Sequence, residues 1–107
     1  MKKQVLSAES RKRIKHIHSL SKTYNKKVHF PHNKRLLELM RHHVAEIEEL
    51  FSKKDKHFLI ETGDLMVLCC ELLLENKASM DDVMMKCFER YERKLSGLIK
   101  GIERRQK

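Results

Sequence analysis

Phe58-Leu-Ile-Glu-Thr-Gly-Asp-Leu-Met-Val-Leu-Cys-Cys-Glu-Leu-Leu-Leu-Glu75 decides the fold of this chain. Wound as a helix it is apolar on nearly every side, and its acids Glu61, Asp64, Glu71 and Glu75 share one stripe with Leu68. A helix of this kind is central to a bundle or lies at a subunit interface. The pattern predicts a helix from Lys56 or His57 to Glu75, in a small chain whose surplus apolar faces imply a homo-oligomer. Gly63 is unfavourable within a helix by up to ~1 kcal/mol relative to Ala, so close packing or a ligand is expected where its side chain is missing. Glu71 and Glu75, at the far end, read as surface charge.

Upstream, Leu36, Leu37, Met40, Val44, Ile47 and Phe51 recur at helical spacing. They predict a helix to about Ser52, capped by Asn33 and cut from the next by Lys53-Lys-Asp-Lys56. A first helix is expected from Ser7 to about Tyr24, with Val5, Leu6, Ile14, Ile17 and Leu20 as its weak stripe. The connection around Pro31 follows it. Downstream, Ser79 and Asp82 resemble a capping box opening a fourth helix to about Ile102. The fold class expected is therefore all-α, a bundle of about four helices.

The composition agrees. Forty per cent hydrophobic and 36% charged residues, with three Gly and one Pro in 107, suit a single helical domain. No apolar run reaches bilayer length and no signal-peptide core opens the chain, so a cytoplasmic protein without membrane contact is expected. Cys69, Cys70 and Cys87 lack the spacing of a zinc site and read as small buried hydrophobes. Residues 1–30 hold nine Lys and Arg against Glu9 alone, +8 of the formal +9. The division is thus a basic helix or arm, 1–28, before a balanced core, 29–107. An arm of this charge fits nucleic acid or an acidic protein surface, or a solvated helix. It lacks the interleaved aromatics that favour single strands.

The sharpest chemical signal is the acidic pairs Glu46/Glu49 and Glu61/Asp64, each at i, i+3 on neighbouring helices. Brought face to face, four carboxylates need a cation, and a hard divalent ion is the usual one. From the apolar centre of the second helix, His43 lies about 60° away, Glu46 about 120° and Glu49 on the far side. Glu61 and Asp64 stand out because acids on an otherwise buried helix are costly unless paired or metal-bound.

Val44-Ala-Glu-Ile47, Leu59-Ile-Glu-Thr-Gly-Asp-Leu65 and Met80-Asp-Asp-Val83 resemble the MazG-like all-α nucleotide pyrophosphohydrolases over residues ~30–98. Phe30-Pro31 and Lys34 to Leu37 resemble that family's lead-in more loosely. The resemblance implies an ExxE…ExxD set binding Mg²⁺ (or Mn²⁺) that grips a nucleoside triphosphate, which is cleaved to monophosphate and pyrophosphate. It assigns Glu61 and Asp64 to ExxD and leaves two registers for ExxE. Glu46–Glu49 satisfies the letters, whereas His43–Glu46 satisfies the helix geometry but puts His where the family has Glu. It implies catalytic roles for Glu46 and Glu61, and phosphate contacts from Lys86, Arg90 (where the family has Asn) and Arg93. A His for Glu exchange removes a hard oxygen ligand, so a weak hydrolase, a different metal or nucleotide binding alone is compatible with it.

Of the seven histidines, only the pair His29/His32 and His43 beside Glu46 have spacing suited to one ion. His16 and His18 point apart on a helix. No Ser/His/Asp set or phosphate-cradling Gly loop is present. The alternative class is a non-enzymatic helical module binding nucleic acid or an acidic protein through the arm.

Overall fold

The computed structural model describes residues 4–106, so Lys2 and Lys3 of the basic stretch lie outside them. The described residues form four helices and no strand: α1 Ala8–Lys27, α2 His32–Ser52, α3 Phe58–Glu75 and α4 Met80–Arg105. Each follows from its sequence signals. The hydroxyl of Ser7 accepts the Ser10 N–H (3.1 Å), and that of Ser79 accepts the Asp82 N–H (3.2 Å), so one orphan donor is satisfied at each of these starts. Asn33 is not the cap of α2. Pro31 occupies that position without a side-chain bond, because its fixed φ of −59° already suits the turn into a helix.

All three connections close the same way. His29, Lys54 and Lys77 adopt φ of 56°, 60° and 57°. Around each, the residue after it donates back five positions: Phe30 to Asn25 (3.0 Å), Asp55 to Leu50 (2.9 Å) and Ala78 to Leu73 (2.9 Å). This is the left-handed helix stop that glycine usually supplies. Here residues with a Cβ occupy it, at a steric cost of about 1 kcal/mol or more. Lys54→Gly and Lys77→Gly are therefore each expected to raise the unfolding free energy by about 1 kcal/mol, read from urea melts at constant slope.

α2 and α3 form the most extensively packed pair, an antiparallel hairpin closed by Phe51 edge-on to Phe58 at 5.3 Å between ring centres. α1 lies against both of them. The connection before α2 is held by Phe30, whose ring stacks under the Arg35 guanidinium at 4.0 Å. Among the described residues the fully buried apolar core is small, comprising Leu36, Leu68 and Met80. The expected centrality of α3 is met on one side only, since Leu59, Ile60 and Met66 are exposed. Cys69 is also exposed, because the other helices cover only part of this apolar element, and Cys70 and Cys87 are half-buried. Gly63 faces open space, for a Cβ there would meet nothing within 4 Å. Neither packing nor a contact within the chain requires that glycine.

α4 is anchored at its root and then leaves. Asp81, 9% exposed, accepts the N–H groups of Val5 (2.7 Å) and Leu6 (3.0 Å) and pairs with Arg11 (3.2 Å). From Phe88 onward every described residue except Gly101 is exposed. The radius of gyration, 17.6 Å, exceeds the roughly 13 Å expected of a compact chain this long. The backbone donors of Leu6 and Val5, then Arg11, hold the Asp81 carboxyl below its ordinary value of 3.8. A folded-state value below the unfolded one stabilises above that value and is lost as pH falls through it. Asp81→Asn is thus expected to lower the melting temperature at pH 7, and its difference from wild type to narrow below about pH 4. Among the described residues no helix is long and apolar enough to cross a membrane.

Candidate metal centre

The α2–α3 hairpin brings one carboxylate from each helix together. His43 and Glu46 stand three residues apart on α2, on the flank of its apolar stripe, and Glu61 occupies the first turn of α3. Antiparallel pairing then sets Glu61 opposite them. His43 Nδ1 is hydrogen-bonded to the Glu61 carboxylate. One ligand atom from each of His43, Glu46 and Glu61 falls within 4.8 Å of the others. Two further histidines edge the group: His42 Nε2 is 2.8 Å from Glu46 Oε1, and His57 Nε2 is 3.6 Å from Glu61 Oε1. The side chains of Glu61 and His43 are 12% and 18% exposed, so the group is sheltered yet reachable from solvent.

The hydrogen bond from His43 is the largest influence on Glu61. Against the opposing cost of desolvation, it holds that carboxyl below its ordinary value. That favours the ionised form of Glu61, the state a metal ligand requires. Two carboxylate oxygens and one imidazole suit a divalent ion that accepts mixed donors. Mn²⁺ fits such a set more comfortably than Mg²⁺, which prefers oxygen alone.

The other residues expected at this centre lie elsewhere. Glu49 is exposed and bonded to Lys53 Nζ at 2.7 Å, on the outer side of α2. Asp64 is exposed on α3 and outside the three-residue group. Of the two ExxE registers, the three-residue group contains His43 with Glu46. Lys86, Arg90 and Arg93 are exposed on one side of α4, opposite its apolar side. Glu61 lies about 21 Å along α3 from the end where α4 begins, and the structure does not bring these cations to the acidic group.

Sequence reasoning passed over a second group. Glu71, expected on the surface, is 2% exposed and faces His18 of α1 and His32 of α2. His29, the expected partner of His32, is exposed in the left-handed turn. The available signal was the unbroken acidic stripe 61–64–71–75 on an otherwise apolar helix, which marked Glu71 as buried before it marked it as solvated. Burial pushes the His32 imidazole below its ordinary 6.5, partly offset by Glu75. Comparisons of this chain with protein-family models, curated proteins and solved structures returned no match.

Proposed function

We propose that this protein is a divalent-metal-dependent nucleotide pyrophosphohydrolase of the MazG-like kind, with Glu46, Glu61 and His43 as its metal-binding group. The observation that supports this reading is the meeting of Glu46 from α2 and Glu61 from α3 beside His43. Bound there, Mg²⁺ or Mn²⁺ would neutralise phosphate charge and ready water for attack between the α and β phosphorus atoms. The protein's own part is electrostatic. Glu46 and Glu61 supply the negative charge that holds the cation, and the His43–Glu61 hydrogen bond fixes the orientation of both side chains. Asp64 and Glu49, which the resemblance adds to the set, stand outside this group, Glu49 being exposed and bonded to Lys53. The phosphate roles of Lys86, Arg90 and Arg93 rest on the resemblance alone.

The test is a pyrophosphate-release panel over nucleoside triphosphates with Mg²⁺ or Mn²⁺. Release from at least one nucleotide, dependent on metal, is expected; absence of release from every nucleotide would sink the hydrolase reading. The proposed setting is the cytoplasm, consistent with three free cysteines, and the working form is a homo-oligomer. A second reading, a binding module for nucleic acid, draws on the exposed Lys12, Arg13, Lys15, Lys26 and Lys27 of α1. It requires affinity that falls steeply with salt.

A further inference from the structure

His18, His32 and Glu71 come from three different helices and meet where α1, α2 and α3 converge, away from the hairpin group. One ligand atom from each lies within 4.8 Å of the others. His18 Nδ1 is 3.6 Å from Glu71 Oε1, close to the edge of about 3.4 Å that two ligands span on a tetrahedral Zn²⁺ ion. Three atoms here, His18 Nδ1, His32 Nε2 and Glu71 Oε1, are buried and have no hydrogen-bond partner. Glu71 itself is 2% exposed. Buried polar atoms are rarely left in this state, and a carboxylate least of all.

The surroundings resemble the outer shell of a metal site. His18 Nε2 lies 3.0 Å from Glu75 Oε2, near enough to pair with it though not in hydrogen-bond geometry, and Nδ1 is the ring nitrogen turned toward Glu71. His32 Nδ1 is 2.8 Å from Asn25 Nδ2, an amide itself 3% exposed. As placed that N–H donates to Nδ1; a half-turn of the amide, which exchanges its oxygen and nitrogen, lets the oxygen accept Nδ1–H and frees the His32 Nε2 lone pair. Metal-bound imidazoles are almost always fixed in this manner through their second nitrogen. Lys22 Nζ is 3.4 Å from Glu75 Oε2 on the rim. His32 Nε2 is also 3.7 Å from Glu75 Oε2, so Glu75 borders the group on two sides.

We propose that His18, His32 and Glu71 form a binding site for a borderline transition-metal ion of the Zn²⁺ class, held in place by Glu75 and Asn25. Two imidazoles and one carboxylate favour Zn²⁺ and its neighbours over Mg²⁺ or Ca²⁺. The ion would pin α1 to the α2–α3 hairpin.

Calorimetric titration of the full chain with Zn²⁺ tests this, using Glu61→Gln protein to silence the hairpin group. One equivalent is expected to bind, and adding Glu71→Gln should weaken it by at least about 100-fold. Asn25→Ala should weaken it about 10-fold with helicity unchanged by circular dichroism. Should Glu71→Gln fail to fold, the wild-type histidine ring signals decide the matter. Zn²⁺ must shift those of His18 and His32. Unmoved rings, or equal affinity with and without Glu71, would overturn the site and leave a charged His18–Glu71 pair.

Discussion

Glu61→Gln is expected to lower pyrophosphate release by about 10³-fold, equivalent to about 4 kcal/mol of transition-state stabilisation. The substitution keeps the shape of the side chain but removes a negative charge from the pair that would hold the cation. It also weakens the hydrogen bond that fixes His43. Glu46→Gln should lose a similar factor, because its carboxylate is the other half of the pair. Glu49→Gln should lose far less, since Glu49 is exposed and engaged with Lys53. Equal losses at Glu46 and Glu49 would mean that the side of α2 carrying Lys53 turns inward when the metal is bound. The loss should fall on kcat, with the circular dichroism spectrum unchanged.

The second large effect is expected from α4. Met84, Phe88, Tyr91, Leu95, Leu98 and Ile102 are all exposed and recur at alternating steps of four and three. That is the spacing of a seam between packed helices, and no other element of the chain covers it. From a 26-residue helix with such a seam we expect a homodimer through a second copy of itself. Leu95→Asp should then disperse the dimer. Losing about 2 kcal/mol of leucine burial per copy removes about 4 kcal/mol from the pair, near 10³-fold in dissociation constant. Sedimentation velocity should show wild type at twice 12.8 kDa and the variant at 12.8 kDa. A wild-type chain that sediments as a monomer at micromolar concentration would contradict the assembly.

Much of this architecture is legible from local signals. Ser7 and Ser79 cap the helices they precede, and the stripes of α2 and α4 follow from spacing alone. Periodicity also placed His43 and Glu46 beside the core and Glu49 on the far side, as the structure has them. What spacing cannot convey is which neighbour covers a given face. Glu71 belongs to the same stripe as Glu61, yet only the position of α1 shows that His18 descends onto it. The separation of α4 was hidden for the same reason. Its apolar seam reads identically whether it closes a bundle within one chain or meets a second copy. The start of α2 was missed because Pro31 needs no side-chain bond to begin a helix, so Asn33 looked like the better cap.

If Glu46, Glu61 and His43 hold a divalent ion, Mn²⁺-induced broadening of backbone amide signals locates it directly. In wild type, broadening is expected around residues 43–46 and 61, and in Glu61→Gln it should vanish there even if it persists elsewhere. Broadening absent from these residues in wild type, or unchanged by Glu61→Gln, would contradict the claim.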